Sequence, residues 1–395
     1  GITTAYYLSQ AGHSVSVVDE ANDVASGATG GNGGQLSYSF TDAFAGPALL
    51  RKLPGQILGL DPAIRIRPPI NLHLASWGWS LLRQCTRERA MANTLSVHQV
   101  AMQSSSLLAD IRENVPIDFA FRKAGKLVLL GKEEHVRSAR KSLEIKQQQG
   151  NTAKLVCYSE ACDIEPALRG FSKPYLAAIW SADDEVGCAR RFCEGLSQWM
   201  MANRDVRFRM GETVDSIRSE NGKQMGIRTS GGTLESDAIV VCLGVHSHKL
   251  LSQLGIKAQV YPVRGYSVTL PPGKFAADVS ITDLASKIVF SRMGDKVRIA
   301  GLADIVGFRT GRDSHRIRDL LEMAHSVAPD IADYVARPNR AWGGYRPMTP
   351  DSQPLTGESK IRGVFLNTGH GMLGWTLACA TASEVAGQVT MAGAD

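Results

Sequence analysis

The sequence has 395 residues, of which 44% are hydrophobic and 21% charged, so it can form a large folded core and does not have the composition of a disordered chain. The formal net charge is +6, but the basic residues form no concentrated patch with a nucleic-acid-binding motif, so we expect no nucleic-acid partner. No apolar run approaches the roughly 18 residues that a membrane-spanning helix needs.

The seven cysteines indicate neither disulfides nor a metal site. Their number is odd and none stands in a CxxC pair. Cys157 and Cys162, like Cys188 and Cys193, have a spacing that matches no familiar zinc motif. We therefore expect reduced thiols, no metal and a cytoplasmic protein. No signal peptide is visible, although the N-terminus looks incomplete.

Apolar periodicity and turn residues predict an α/β protein with interleaved elements. The predicted helices are 2–11, 75–85, 91–115, 132–149, 189–202, 313–328 and 375–392. The predicted strands are 14–18, 125–131, 177–180, 206–209, 212–219, 223–229, 232–234, 238–243, 261–270, 287–291, 296–302 and 364–367. Those from 223 to 243 are expected to continue a β-meander. Residues 51–69 contain several prolines and are expected to be irregular.

The first helix and strand have the layout of a dinucleotide-binding β-α-β unit. Such a unit places a glycine and a helix N-terminus at the pyrophosphate, and an acidic residue at the end of the second strand for ribose hydroxyls. Here Gly1 precedes a helix, and Asp19 or Glu20 ends the next strand, which fits the last glycine of a GxGxxG fingerprint. The alternative is an ordinary helix–strand pair that ends in a surface carboxylate.

Two other glycine-containing segments are compatible with a cofactor site. The loop 27–34 contains Thr29 and Asn32 and is followed by Gln35, and its small residues let backbone N–H groups approach phosphate or flavin atoms. The apolar segment 237–245 runs into Gly244, where the backbone can approach a cofactor closely. The alternatives are a flexible surface loop and a plain core strand.

The C-terminal region holds two more specific motifs. Residues 345–351 (YRPMTPD) place Arg346 on a stiff backbone, where it can hold a carboxylate through two hydrogen bonds. Residues 367–375 (NTGHGMLGW) indicate a strand, a glycine-rich turn and a helix whose N-terminus favours negative charge, such as that of a reduced flavin. The alternatives are a surface ion pair for Arg346 and, for His370, a residue whose backbone matters more than its ring, which we favour.

Together with 263–267 (VRGYS) and 301–310 (GLADIVGFRT), these motifs resemble the D-amino acid dehydrogenase small-subunit family, within the D-amino acid oxidase/glycine oxidase superfamily of FAD enzymes. The resemblance extends from Gly1 to about residue 386. It implies a glutathione-reductase-like, Rossmann-type FAD domain interleaved with a substrate domain built on a mixed antiparallel β-sheet. It also implies oxidation of D-amino acids to 2-oxo acids and ammonia, with electrons passed to a quinone or dye.

By position, the resemblance implies a role for each candidate residue. Arg346 and Tyr266 would be catalytic and would bind the substrate together with Tyr345, and Arg346 would hold its carboxylate. Gly344 stands where related sarcosine oxidases attach flavin through a cysteine, so FAD is expected to be non-covalent. The residues expected to bind FAD are Gly1, Asp19, Glu20, Thr29, Asn32, Gly34, Gln35, Val214, Gly244, Gly369, His370, Gly371, Met372, Leu373 and Gly374.

The resemblance also divides the chain into two interleaved domains. The expected FAD-binding segments are 1–45, 188–258 and 341–395, and the expected substrate-binding segments are 46–187 and 259–340, of which 46–115 is helical and can pack on the FAD domain. The N-terminus departs from the family, because the first strand and the GxG of the fingerprint are absent. The expected reaction is hydride transfer from the substrate Cα to flavin N5, with no dedicated base evident.

Other functions stay open at this point. An oxidase of the same fold would act on glycine, sarcosine or a cyclic imino acid such as D-proline or hydroxyproline and would form peroxide. A non-catalytic flavin-binding subunit would hold FAD that no D-amino acid reduces. An NAD-dependent dehydrogenase agrees less well with the glycine-rich turn 369–374.

The sequence also raises the question of membrane contact. Residues 49–60, which include Arg51 and Lys52, and the nearby Arg65 and Arg67 mix apolar and basic side chains. This composition suits peripheral contact with an anionic inner membrane, where a quinone is accessible. A loop that merely covers the pocket is the alternative that we favour. The sequence does not indicate the oligomeric state.

Overall fold

The computed structural model describes residues 1–69, 71–308 and 313–394, so the end of the 301–310 motif and part of the 259–340 segment lie outside the described residues. The helices are α1 (Ile2–Gln10), α2 (Pro47–Ile57), α3 (Leu72–Arg83), α4 (Arg87–Asn114), α5 (Glu133–Gln147), α6 (Tyr158–Ile164), α7 (Ala189–Asn203), α8 (Ser247–Ser252), α9 (Asp313–Val327) and α10 (Gly374–Ala394). The strands are β1 (Val15–Asp19), β2 (Gln35–Leu36), β3 (Ile64–Ile66), β4 (Lys126–Leu130), β5 (Lys154–Cys157), β6 (Ala177–Ser181), β7 (Glu185–Val186), β8 (Val206–Met210), β9 (Val214–Glu220), β10 (Lys223–Thr229), β11 (Gly232–Leu234), β12 (Ile239–Val241), β13 (Tyr261–Leu270), β14 (Ser280–Asp283), β15 (Ile288–Met293), β16 (Lys296–Ile305), β17 (Arg340–Met348), β18 (Leu355–Glu358) and β19 (Val364–Thr368).

Nine strands form one large mixed sheet. Their order is β17-β13-β16-β15-β14-β4-β6-β5, with β3 added beside β16. The pairs β14–β4 and β16–β3 are parallel, and the other pairs on this path are antiparallel. The prediction of a mixed sheet in an α/β protein is therefore confirmed.

The two faces of the large sheet have different environments. Val268, Phe290 and Ile299 point to one face, where they are buried against Leu320 of α9 in a closed apolar core. Because side chains alternate along a strand, the residues between these positions, such as Gly265, belong to the opposite face of the sheet. This opposite face borders a cavity. This alternation decides which side chains of the sheet can meet the same ligand.

A second group of strands carries helix α1. Strand β1 pairs in parallel with β8, and β12 pairs in parallel with β19, which also pairs with β18. Within the described residues β1 and β12 are each paired on one side, and residues along both strands line the same cavity. Side chains of α1, α4, α7 and α10 share an apolar cluster that contains Phe192 and Trp375. Parallel pairs covered by helices agree with the predicted Rossmann-type part of the fold.

Three details differ from the sequence prediction. Residues 51–69, expected to be irregular because of their prolines, contain most of α2, with Pro54 inside it, and β3. The meander consists of β9, β10 and β11, whereas the predicted strand 238–243 became β12, which pairs with β19 instead. The division placed 341–395 with the FAD-binding segments, but β17 pairs along its length with β13, so 341–348 belongs to the large sheet.

All seven cysteines are free thiols. Burial raises the pKa of Cys193 and of Cys379 to about 12, so both thiols are protonated at neutral pH. The described ranges contain no group of three or more side chains arranged to hold a metal ion. In the same ranges, no helix combines the length and apolar character needed to cross a bilayer.

Candidate functional site

One long cavity of about 2520 Å³ connects the parallel strands with the open face of the large sheet. Its walls include the ends of β1 and β12, the loop 27–35, the turn 369–374 and, on the large sheet, Arg346. The structure therefore brings the predicted cofactor and substrate residues to one cavity, apart from two glycines that do not line it. These two, Gly34 and Gly369, have φ angles of +82° and +77°, which a residue with a side chain rarely adopts.

Two helix N-termini open onto this cavity. Gly1 caps α1 without a side-chain hydrogen bond, and α10 begins at Gly374; neither helix has an acidic residue in its first turn. The free N–H groups and the helix dipole make each end favourable for a negatively charged group. Beside α1, Asn367 donates from Nδ2 to the Thr4 hydroxyl at 2.9 Å, while its buried Oδ1 has no partner within the described residues.

The far end of the cavity suits a sugar and a base. Asp19 and Glu20 end β1 as predicted, and both are exposed at the cavity edge. Asp19 Oδ1 accepts a hydrogen bond from the N–H of Ala21 at 2.9 Å, which fixes the carboxylate at the strand end. Val214 lines the same end of the cavity. Gly244 has φ +53° and open space at the position of a Cβ, so a ligand can approach its backbone closely.

The glycine-rich loop is fastened to the large sheet. Arg298 of β16 donates from Nη1 to the carbonyl of Asn32 at 2.7 Å, and Asn32 Oδ1 accepts from the N–H of Gly34 at 2.8 Å. A Cβ at Gly31 would overlap the ring of Trp342 on β17, so the indole lies directly on the loop backbone. Thr29 precedes these contacts and lines the cavity. The loop is thus held in a defined position by side chains of the sheet.

Lys126 is a buried cavity residue that the sequence analysis missed. It donates from Nζ to Gln35 Oε1 at 3.0 Å and to Ser37 Oγ at 2.5 Å, while Gln35 donates from Nε2 to Ser280 Oγ at 2.6 Å. Burial lowers the pKa of Lys126 to about 8. The available signal was a single charged residue within the otherwise apolar predicted strand 125–131.

The turn 369–374 presents its backbone to the cavity. Gly371 has φ +56°, and its N–H donates to the carbonyl of Pro347 at 2.9 Å, which joins the turn to β17. The ring of His370 contacts the hydroxyl of Thr381 at 2.9 Å, and burial lowers the pKa of His370 to about 3. His370 is therefore neutral at physiological pH and tied to α10. Met372, Leu373 and Gly374 complete this wall.

The side chain of Arg346 is fixed by the sheet around it. A Cβ at Gly265 would overlap the guanidinium, so Arg346 crosses β13 at a position that has no side chain. Its Nη1 donates to the carbonyl of Leu302 at 2.8 Å and its Nη2 to that of Gly301 at 3.4 Å. Leu302 has φ +58° at a bulge in β16, opposite the shift in register between Arg264 and Tyr266. The bulge presents both carbonyls to Arg346.

Arg346 has no carboxylate partner among the described residues. Other arginines of this region do: Arg264 pairs with Asp313 at 2.6 Å, and Arg316 pairs with Asp304 at 2.7 Å. Burial lowers the pKa of Arg346 to about 10, so its guanidinium is still charged at neutral pH. An enclosed cation without a counter-ion favours an anionic ligand, because the ligand offsets the cost of burying the charge.

Tyr266 and Tyr345 do not share the face of Arg346. Tyr345 is next to Arg346 in β17, and Tyr266 pairs with Gly343, so both side chains leave the opposite face of the sheet. The hydroxyl of Tyr266 donates to Asp304 at 2.9 Å, and burial raises its pKa. Both rings nevertheless border the same cavity as the guanidinium. The bond to Asp304 holds the Tyr266 hydroxyl in place, and the catalytic role of Tyr266 stays a prediction.

Parallel strands that lead to helix N-termini are the arrangement by which α/β proteins hold dinucleotide cofactors. Joined to a second sheet that carries a fixed cation, this arrangement defines a dinucleotide-dependent oxidoreductase. The chain belongs to the DAO family of FAD-dependent oxidoreductases, which it matches over residues 1–388.

Several named proteins are similar to this chain. It is 35% identical to D-amino acid dehydrogenase 2 of Ralstonia nicotianae, over 98% of this chain and 93% of that protein. It is 33% identical to the D-amino acid dehydrogenase of Vibrio cholerae, over 99% and 92%. Among solved structures, glycine oxidase from Geobacillus kaustophilus superimposes with a TM-score of 0.74 at 20% identity, over 99% and 92%. L-Proline dehydrogenase from P. horikoshii gives 0.75 at 18%, over 99% and 90%. The two structures support the fold.

The residues that line this cavity fit FAD, the cofactor of this family. The cavity is long enough to join the acidic end of β1 to the large sheet, and the N-termini of α1 and α10 supply unpaired backbone donors along it. Asn367 Oδ1 and Trp375 Nε1 are buried polar atoms that lack a partner in the described residues. A polar, partly anionic ligand of this length would satisfy them. Gly344, where a covalent link would need a thiol, has no side chain.

Proposed function

We propose that this chain is a dehydrogenase that uses FAD to oxidise D-amino acids of the D-alanine type to 2-oxo acids and ammonia. The named relatives are D-amino acid dehydrogenases, and the family is FAD-dependent. The observation that carries the proposal is Arg346, a fixed cation without a carboxylate partner on the cavity wall. A carboxylate on the substrate is the group that such an arginine binds best.

The proposal assigns the cofactor to the predicted residues. The N-terminus of α1 at Gly1 meets the diphosphate, and Asp19 with Glu20 meets the adenosine ribose. Val214 and Gly244 enclose the adenosine end. The loop residues Thr29, Asn32, Gly34 and Gln35 line the path to the flavin, which the turn Gly369, His370, Gly371, Met372, Leu373 and Gly374 surrounds. FAD is held without a covalent bond.

The protein contributes mainly by positioning the substrate. Arg346 holds the carboxylate, and the carbonyls of Gly301 and Leu302 keep the guanidinium from rotating. With the carboxylate fixed, the substrate Cα can be held in one orientation over the cofactor, which accounts for much of the rate of such a reaction. Bound FAD supplies the acceptor for the hydride that leaves Cα. The resulting imine hydrolyses in water.

We place the electron acceptor at a lipid surface next to α2 and α3. Leu58 and Leu60, which follow α2, and Leu72 and Trp79 of α3 are each more than half exposed, and we propose that they form one apolar patch. Arg83 lies over the Trp79 ring at 5.8 Å and supplies positive charge at the edge of the patch. Helix α2 also lines the cavity, so a quinone dissolved in the membrane would reach the cofactor along this helix.

Anaerobic reduction of the flavin tests the enzymatic proposal. D-Alanine should bleach the flavin absorbance and L-alanine should not, while dye reduction should exceed peroxide formation in air. Peroxide as the main product with glycine, sarcosine or D-proline would identify an oxidase instead. Bound FAD that none of these compounds bleaches would identify a non-catalytic flavin-binding subunit.

Vesicle binding tests the membrane proposal. The wild-type protein should co-sediment with vesicles containing anionic lipid, and a Leu58→Ser/Trp79→Ser variant should bind them at least fivefold more weakly. Val335→Ser is a matched control, because Val335 is 98% exposed and lies outside the patch. Absence of wild-type binding, or equal loss in the control, would exclude the patch as a membrane contact.

A further inference from the structure

We propose that the cavity extends past Arg346 into a second anion-binding subsite, which favours a side-chain carboxylate among those D-amino acids whose side chain is long enough to reach it. We call it the basic arm and define it by Lys52 and Gln56 of α2, Lys132 and His135 at the start of α5, and Lys287 before β15. All five residues line the cavity. The inference rests on the proposed function for the identity of the substrate, but the subsite itself rests on the following contacts.

Gln56 is the most informative residue of the basic arm. The residue is only 5% exposed and lines the cavity, and its carboxamide forms no side-chain hydrogen bond with the other described residues. The carboxamide atoms keep some accessible surface, so a ligand in the cavity can reach them. Gln56 therefore offers a donor and an acceptor to a ligand in the cavity.

The basic arm adjoins the position of Arg346. The carbonyl of Lys287 lies 2.8 Å from the place of a Cβ at Gly301, whose own carbonyl accepts from Arg346. Lys287 Nζ pairs with Asp61 at 2.7 Å, and β3, which follows Asp61, pairs with Ala303. Strands β15 and β3 follow one another along the edge of β16 that faces away from β13, so Lys287 and Asp61 lie next to that edge, on the side of β16 away from the strand that Arg346 crosses.

The charge of the basic arm is positive. Burial lowers the pKa of His135, and the positive charges of Lys52, Lys132 and Lys287 lower it further, whereas Glu134, whose Oε1 lies 3.7 Å from His135 Nε2, raises it. His135 Nδ1 is buried with no partner in the described residues. Lys52 and Lys132 pair with no carboxylate of the described ranges. Lys52 stands one turn before Gln56 on the same face of α2, so positive charge extends from the mouth towards the buried carboxamide.

A substrate with an apolar or neutral side chain would leave Gln56 and the lysines of the basic arm without a binding partner. A side-chain carboxylate can accept from the carboxamide of Gln56 and interact with the lysines while Arg346 holds the α-carboxylate. Sites that bind a substrate through buried polar groups discriminate strongly against analogues that lack the matching group. The chemistry therefore favours substrates with two carboxylates over neutral substrates of the same length.

The test compares glutarate with valerate, which have equal chain length and differ by one carboxylate. With the FAD-loaded protein, titration calorimetry should give glutarate at least tenfold tighter binding. Gln56→Glu, which adds a negative charge at the same size, should reduce this preference below twofold, and Gln56→Met should reduce it partly. The control is Gln198→Glu on the exposed face of α7, which should leave the preference unchanged.

Turnover separates this inference from the proposed function. The ratio of kcat/KM for D-glutamate to that for D-norvaline should follow the binding preference and fall at least tenfold in Gln56→Glu. Reduction of the flavin by D-alanine without any preference for glutarate would overturn the basic arm alone. Glutarate preference with no D-amino acid able to reduce the flavin would overturn the proposed function and leave the anion subsite standing. Retention of the preference in both Gln56 variants would also overturn the subsite.

Discussion

Replacing Arg346 by lysine tests the assignment of the substrate carboxylate while the positive charge is kept. The guanidinium uses Nη1 and Nη2 to bond the carbonyls of Leu302 and Gly301, and its remaining N–H donors are left for a ligand. Lysine carries its donors on one atom. It therefore cannot bond the carbonyls of the bulge and at the same time hold both oxygens of a carboxylate. We expect KM for a D-amino acid to rise sharply in Arg346→Lys.

The size of the effect follows from the bonds lost. A hydrogen bond between charged groups contributes about 1.5–3 kcal/mol. Loss of one of two such bonds, about 2 kcal/mol, weakens binding about 30-fold. Arg346→Met removes both bonds and the charge, and a loss of about 4 kcal/mol corresponds to roughly a thousandfold.

The assay is anaerobic reduction of the flavin by D-alanine in a stopped-flow instrument, which yields the apparent dissociation constant and the limiting rate separately. Flavin content and Tm are measured in parallel, so that loss of cofactor or of fold is recognised. We expect the dissociation constants to increase in the order wild type, Arg346→Lys, Arg346→Met. Values within threefold of the wild type for both variants would show that Arg346 does not hold the carboxylate.

Three further predictions concern the surroundings of this arginine and the cofactor turn. Gly265→Ala places a Cβ where the guanidinium of Arg346 lies, so KM should rise about as much as in Arg346→Lys, whereas an unchanged KM would contradict the described path of the side chain. Tyr266→Phe removes the bond to Asp304, so the free energy of unfolding should fall by about 1 kcal/mol with KM changed less than twofold; a large increase in KM would instead support the predicted catalytic role. The folded pKa of His370, about 3, lies below its unfolded value, so between these values the unfolded chain binds a proton that the folded chain does not, and stability falls as pH falls. From pH 7 to pH 5, the wild type should lose about 2 kcal/mol more than His370→Gln in urea unfolding, and equal losses would refute this.

Local patterns allowed most helices and strands to be predicted, but not which strands pair. The bounds of β13 and β10 were predicted correctly because each combines alternating apolar residues with clear turns at its ends. The partner of β12 was predicted wrongly, since an apolar strand of three residues carries no information about its neighbour. The region 46–115 was expected to be helical, but the bounds of α2 were not predicted, because the prolines of 51–69, such as Pro54, indicated an irregular segment.

The predicted cofactor residues and Arg346 came from contiguous motifs, whereas Gln56 and Lys126 come from segments that only the folded chain brings to the cavity. Tyr266 illustrates a different limit. The sequence shows which residues of β13 share a face with Tyr266. Whether Arg346 lies on that face depends on the register between β13 and β17. A shift of that register by one residue would have placed Tyr266 beside the guanidinium, so no pattern within either strand decides the question.

Around Arg346 the large sheet departs from regular strand geometry, and the residues that depart from it are those that hold this arginine. Leu302 adopts a left-handed backbone conformation that costs an ordinary residue roughly 1–2 kcal/mol, although it is buried and a regular strand was available to it. Gly265, which lacks a side chain, leaves the path across β13 open. Both features serve the same contact, because the bulge turns the carbonyls of Gly301 and Leu302 towards the guanidinium that crosses Gly265. A surface ion pair would require neither feature, so their combination is the strongest physical argument that Arg346 binds a ligand.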